Sequence, residues 1–208
     1  MLGVVVAGMA GFGALAAAVR RREIEETDHA ITARLQAIRH PAFERAMGVV
    51  SWFGFPPQSR VLPPAYAIVL WIGRHRLEAV FQLAAWGTAL VSTIVKSFMR
   101  LPRPVGGKDL RVIAAPLGGS SFPSGHVLTY VGVYGWMAIM AHRLVAPPVL
   151  RRLAVAALST LVAAVGPSRV YQGHHWPSDV VASYLLGSSY LSILVVAYRS
   201  LRARGVLR

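Results

Sequence analysis

The chain has 208 residues, 55% of them hydrophobic and only 14% charged. That is about the apolar content of six spans of ~20 residues, with less charge than the ~25% usual in soluble domains. A disordered chain is excluded and an ordinary soluble domain disfavoured; the length holds one domain, 1–208, and no separate soluble module. Twenty-two basic residues against eight acidic ones give a formal charge of +14. Such an excess fits nucleic acid, anionic lipid headgroups or a phosphorylated substrate, and the apolar runs between the charges favour the last two over nucleic acid. There is no cysteine, hence no disulfide, no thiolate metal site and no cysteine nucleophile.

Residues 2–19 are uncharged and run directly into Arg20, Arg21 and Arg22. A cleaved signal peptide carries its positive charge before the apolar run, so this segment reads as a retained first span. Residues 23–47 differ: Ile24, Ile31, Leu35 and Ile38 form an apolar stripe with Glu25, Arg34 and Arg39 between them. The pattern predicts an amphipathic helix, lying at the membrane surface or packed on the bundle and broken near His40 and Pro41. Proline pairs at 56–57 and 63–64 bracket the start of a second span, 60–72. Four more spans follow at 79–95, 127–141, 153–165 and 180–198. The expected fold class is therefore all-α, a six-transmembrane-helix bundle with an amphipathic interfacial helix after the first span. One long polar interruption, 96–124, is rich in Gly, Pro and Arg, and structureless connections of that length are uncommon unless functional. Basic residues do not orient the bundle: nine fall on one side and ten on the other once Lys96, Arg103 and Arg169 are set aside.

Six spans place the connections after spans three and five, and the start of span four, on one face. The unusual polar residues lie there. Lys96, Arg100 and Arg103 share a helical face until Pro102 and Pro104 end it, which suits either an anion or cations reaching out to the membrane surface. In Pro123-Ser124-Gly125-His126, Ser124 is an N-cap candidate and Gly125 permits close approach to the backbone. A helix N-terminus there suits phosphate, and His126 stands at its edge able to exchange a proton. Ser168-Arg169, His175 and Asp179 form the third group. Asp179 is the only acidic residue after 109, so at the start of an apolar helix it needs a partner, and His175 lies four residues earlier. Asp179 also fits a plain helix cap, and His174 competes with its neighbour.

In this order, Lys96 with Arg103-Pro104, Pro123-Ser124-Gly125-His126, and Ser168-Arg169 with His175 and Asp179 resemble the three-part signature of the type-2 phosphatidic-acid phosphatase superfamily. The signature spans 96–179 and matches at every specified position; its five-residue gap after Arg169 selects His175 over His174. The resemblance implies a metal-independent phosphatase, without cofactor, working through a phosphohistidine on His175. Asp179 would orient the ring, and His126 would serve as acid and then base. Lys96, Arg103, Ser124, Gly125 and Arg169 would bind the phosphate. No cluster of carboxylates stands ready for magnesium, which agrees.

Substrates implied by the resemblance are phosphatidic acid, phosphatidylglycerol phosphate or a polyprenyl pyrophosphate, with Arg100 as an additional contact to a second phosphate. The implied location is a bacterial inner membrane, with the site on the extracytoplasmic face. Two other classes share parts of the pattern. A vanadium-haloperoxidase-like oxidase uses a similar pocket in a soluble frame, against which the apolar spans argue. A non-catalytic lipid-binding or transport protein would have lost at least one catalytic position.

Overall fold

The computed structural model describes residues 2–104, 110–113 and 118–207, so 105–109 and 114–117 of the long polar connection lie outside the described residues. All regular structure among the described residues is helical. The helices are α1 (Leu2–Arg20), α2 (Glu25–Gln36), α3 (Pro41–Trp52), α4 (Gln58–Ile72), α5 (Arg76–Trp86), α6 (Thr88–Met99), α7 (Gly125–Thr129), α8 (Gly135–Leu144), α9 (Pro148–Tyr171) and α10 (Pro177–Ala203). A π-helical turn, Tyr130–Tyr134, joins α7 to α8.

The stretch from α7 to α8 is the axis of the bundle. Val127, Leu128, Tyr130, Val133, Trp136 and Met140 along it are fully buried. Around its first half gather Val165 and Val170 of α9 and Val180 of α10. Around its second half gather Leu77, Phe81 and Ala85 of α5 with Val195 and Tyr198 of α10. Helix α1 packs along α10, where Gly8 and Gly11 face Ser189 and Leu185, so the absence of side chains there permits close approach. Outward faces carry the reverse pattern to a soluble protein. Val61, Ile68 and Trp71 of α4, Leu90 and Phe98 of α6, and Leu150 and Leu153 of α9 are all exposed. An apolar girdle around a core that contains buried charges belongs to a helix bundle in lipid.

Four helical stretches are long and apolar enough to cross a bilayer: Leu2–Arg20, Arg76–Met99, Pro148–Tyr171 and Pro177–Ala203. The six expected spans are therefore met by four in these terms. Helix α4 has 15 residues, about 22 Å of rise against a ~30 Å hydrocarbon core. The 127–141 span is divided into shorter helical pieces by the π-helical turn. Arg76–Met99 is itself interrupted at Gly87; there Tyr190 donates its hydroxyl to Ala84 O at 2.7 Å and Thr88 to Ala85 O at 2.9 Å, satisfying carbonyls at the break.

The break expected near His40 is present: α2 ends at Gln36, and Pro41 opens α3 with the His40 ring accepting the Ala42 N–H. Helix α2 is rotated from its apolar stripe, of which Leu35 still packs half-buried against the core. Asp28, Thr32 and Gln36 are its buried residues, while Ile31 and Ile38 are exposed. The two proline pairs do bracket the start of α4: Pro56 and Pro57 precede Gln58, and Pro63 and Pro64 lie within the helix near its start. The start of α5, the end of α8 and the end of α10 meet at the end of the bundle away from Asp179, where Arg202 pairs with Glu78 at 2.5 Å and Arg143 covers the Tyr198 ring.

Candidate active site

Three segments far apart in the chain meet where α6 ends, α7 begins, and α9 gives way to α10. Helix α6 stops at Met99 because Arg100 adopts a left-handed conformation, φ 47°, and Leu101 turns to hydrogen-bond with Ser120. Lys96, Arg100 and Arg103 therefore do not share one helical face as the spacing predicts. Lys96 points inward and donates to Ser120 O at 2.5 Å. Arg103, beyond the helix, donates to the carbonyls of Gly119, Ser120 and His174. Arg100 is exposed, bonded back to Ser97 O at 3.2 Å, outside the buried cluster.

Ser124 stands at the N-cap position of α7, as expected, yet its side chain caps nothing. Its backbone N–H instead donates to Ser183 Oγ at 2.8 Å, and Ser183 donates on to Asp179 O at 2.6 Å, tying α7 to α10. The Ser124 hydroxyl is buried without a hydrogen-bond partner among the described residues, and so are His126 Nε2 and Arg169 Nε. Buried polar atoms are nearly always paired, and three orphans in one place mark a site shaped for a polar guest. A side chain at Gly125 would crowd Ser92 Oγ and lie 3.9 Å from Lys96 Cε, so glycine keeps the space beside Lys96 clear.

Arg169, His175 and Asp179 are 0%, 1% and 0% exposed. Arg169 donates to Ser51 Oγ, to Gln172 Oε1 at 2.8 Å and to His174 Nδ1, and its guanidinium lies 5.0 Å from the centre of the Phe55 ring. The same ring stands 4.7 Å from the His126 imidazole, so Phe55 joins the second and third motifs. Asp179 caps α10 by accepting the Trp176 N–H at 2.9 Å, and the same oxygen faces His175 Nδ1 at 3.4 Å. The other nitrogen, His175 Nε2, faces Arg103 Nη1 at 3.2 Å. A guanidinium only donates, so Nε2 carries the lone pair and Nδ1 carries the proton toward the carboxylate. Burial first, then the charges of Arg169, Arg103 and Lys96, hold the His175 imidazole well below its ordinary pKa of 6.5.

All the site residues expected from the sequence except Arg100 thus enclose one region. Three cations converge there against the buried carboxylate of Asp179, with a second, Asp28, next to it on Ser178, so positive charge still exceeds negative, which suits an anion. Among the described residues no three His, Cys, Asp or Glu side chains are arranged to hold a metal ion, and cations with imidazoles form an anion-binding set, not a ligand shell for a divalent metal. Sequence reasoning did not single out Phe55, Ser51, Gln172 or Ser183. None has a motif, and only folding brings α3 and the chain after it against Arg169. His174, set aside for its neighbour, belongs to the same buried network. Beside the cluster opens a cavity of about 580 Å³ between the α1–α2 junction and residues 101–103, with Arg103, Ser121 and Trp176 in its wall.

A bundle with an apolar girdle and, at one end, an imidazole lone pair facing an arginine beside two further cations suits a membrane phosphatase. The sequence profile of the PAP2 superfamily matches residues 77–203, more than half of the chain, and the chain belongs to that superfamily. By class it is a metal-independent phosphatase of lipid-linked phosphates. It is 29% identical over 184 residues to phosphatidylglycerophosphatase B of Bacillus subtilis strain 168, covering 83% of this chain and 84% of that one. Two solved structures share the fold. One is the first transmembrane PAP2 type phosphatidylglycerolphosphate phosphatase from Bacillus subtilis, with TM-score 0.79, 24% identity and coverage of 95% and 96%. The other is Aquifex aeolicus LpxE, with TM-score 0.60, 22% identity and coverage of 80% and 93%.

Proposed function

We propose that this enzyme removes the terminal phosphate from a phospholipid phosphate or polyprenyl pyrophosphate through a phosphohistidine on His175. The observation that carries the reading is the orientation of one imidazole. Its protonated nitrogen faces Asp179, and its lone pair faces the Arg103 guanidinium. Nε2 attacks phosphorus, an N–P bond forms, and the P–O bond to the lipid breaks as His126 gives its proton to the leaving oxygen. Water then attacks the same phosphorus, loses a proton to His126, and the N–P bond breaks to release phosphate. Asp179 stabilises the imidazolium character that His175 gains in both steps. Lys96, Arg103 and Arg169, with the Ser124 hydroxyl and the Gly125 N–H, hold the equatorial oxygens, which is the principal work of catalysis in phosphoryl transfer.

The substrate's tail stays in lipid while its phosphate reaches Arg103 by way of the adjoining cavity. Arg100, exposed beside that path, meets the second phosphate of a pyrophosphate substrate. The name of the Bacillus subtilis relative supports phosphatidylglycerol phosphate as a substrate to test beside it. We read the whole chain as one domain crossing the membrane six times, through α1, α4, α5–α6, α7–α8, α9 and α10, with α2 and α3 at the interface. The site then faces the extracytoplasmic side of a bacterial inner membrane.

Phosphate release by purified enzyme from phosphatidic acid, phosphatidylglycerol phosphate and undecaprenyl pyrophosphate tests the activity. Release from none of the three overturns it. A chain without cysteine gives a clean background for topology: single cysteines at Gly118 and Arg151 are expected to react with an impermeant maleimide from opposite sides of the membrane.

A further inference from the structure

The polar buried face of α2 leads away from the reacting atoms to a residue that the signature does not contain. A helix on a bundle ordinarily buries its apolar stripe, but α2 buries Asp28, Thr32 and Gln36, spaced four apart along one face. Each has a specific partner. Thr32 donates to Asp28 O within the helix at 2.7 Å. Gln36 accepts the Arg111 N–H at 2.8 Å and donates to Arg111 O and Tyr171 O. Asp28 reaches α10: one carboxylate oxygen accepts the Ser178 N–H at 2.9 Å, and the other accepts the Ser178 hydroxyl at 2.5 Å.

Ser178 lies in the first turn of α10, where backbone N–H groups have no partner within the helix. Its neighbour is Asp179, which takes the Trp176 N–H and faces His175. The first turn is thus held on two sides, by Asp179 from within α10 and by Asp28 from α2. We infer that Asp28 is a positioning residue for the phosphatase reaction: by clamping Ser178 it sets where Asp179 stands relative to His175. The inference rests on the reading of His175 and Asp179 given above. The 3.4 Å separation of that pair leaves room for the contact to tighten as charge develops on the imidazole, and a loosened first turn forfeits that alignment. Asp28 also stands in the wall of the cavity beside Arg103, so a direct substrate contact is the rival role, and kinetics separates the two.

The test uses the full chain in detergent with phosphatidic acid, comparing kcat and KM of wild type, Asp28→Ala, Asp28→Asn, Ser178→Ala, Asp28→Ala/Ser178→Ala and Gln36→Ala. Positioning lowers kcat of Asp28→Ala about 10- to 100-fold with KM within about twofold. Asp28→Asn, which keeps an acceptor for the Ser178 N–H, loses less. The double variant is no slower than Asp28→Ala, because both substitutions break one link. Gln36→Ala, which frees α2 elsewhere, keeps wild-type kcat. Wild-type kcat in Asp28→Ala overturns the inference, as does a raised KM at unchanged kcat, which marks a substrate contact. An equal loss of kcat in Gln36→Ala also overturns it, since docking of α2 as a whole is then responsible. Should Asp28→Ala fail to fold, Asp28→Asn and Ser178→Ala decide by the same criteria. A wild-type enzyme that releases no phosphate ends the reading of the site and this inference together; normal turnover with an unaffected Asp28 series ends the inference alone.

Discussion

One carboxylate oxygen of Asp179 serves two donors, the Trp176 amide at 2.9 Å and His175 Nδ1 at 3.4 Å. The helix-cap reading of this residue and the catalytic reading are therefore compatible, because the Trp176 amide at the N-cap of α10 and the imidazole share one oxygen of the carboxylate. Replacing it separates the two roles. Asp179→Asn keeps an oxygen for the Trp176 amide but no longer balances the imidazolium, so phosphate release is expected to fall about 10³–10⁴-fold with the protein still folded. His175→Ala is expected to lose turnover at least as completely. Detergent-solubilised enzyme, checked for monodispersity and assayed for released phosphate, reads both; wild-type activity in His175→Ala removes the nucleophile assignment.

His126 is assigned two proton transfers, and they can be divided by choice of leaving group. An aryl phosphate such as p-nitrophenyl phosphate departs without a proton, so His126→Ala should still form the phosphoenzyme while its hydrolysis slows by about 10²–10⁴-fold. Rapid quenching under alkaline conditions, where phosphohistidine survives, is expected to reveal accumulated phosphoenzyme in the variant and little in wild type. No accumulation counts against the base role.

Burial, aided by the neighbouring cations, keeps the His175 imidazole neutral well below pH 6.5. The acid limb of kcat/KM attributable to this nucleophile is therefore expected well below that value. Stability carries the same signature with a definite sign. Below 6.5 the unfolded imidazole binds a proton that the folded one refuses, so stability falls as pH drops from that point toward the folded pKa. Melting curves across this window should show a weaker pH dependence for His175→Gln than for wild type.

The cationic pocket predicts a response to oxyanions and none to chelators. EDTA should leave phosphate release unchanged. Orthovanadate should raise the melting temperature, by the equivalent of about 2.7 kcal/mol at one hundred times its Kd, and Arg103→Ala should abolish the rise. A wild-type protein indifferent to vanadate contradicts the pocket assignment.

Gly54 offers a prediction that the signature does not contain. A methyl group there would collide with the His126 ring, so Gly54→Ala should displace the imidazole and lower kcat by about tenfold or more without preventing folding. Unaltered kcat in a folded Gly54→Ala enzyme would mean the ring accommodates the methyl group.

Hydropathy made the all-helical membrane class legible, because lipid demands long apolar stretches whatever their packing. The three polar clusters stood out for the same reason: ionisable side chains beside such stretches are costly and need partners. Their resemblance, in order and spacing, to a family signature then gave Lys96, Arg103, Ser124, Gly125, His126, Arg169, His175 and Asp179. Helix geometry was less legible. Lys96 and Arg103 looked like one face of a helix, yet Arg100 breaks it, since hydrogen bonds to Ser120 and Ser121 from a distant segment outweigh local propensity.

What residue types and their spacing determined by themselves was the chemistry on hand: cations, two imidazoles and one carboxylate, on a chain fit only for a bilayer. Only tertiary structure decided how these groups are used. It leaves the Ser124 hydroxyl without a partner among the described residues instead of capping, points the His175 lone pair at Arg103, and seats Phe55 between His126 and Arg169. It also turned α2 so that Asp28 faces Ser178 across 150 positions of chain. Composition and periodicity register only local preferences, whereas hydrogen bonds between distant segments exist only after the bundle has closed around its axis.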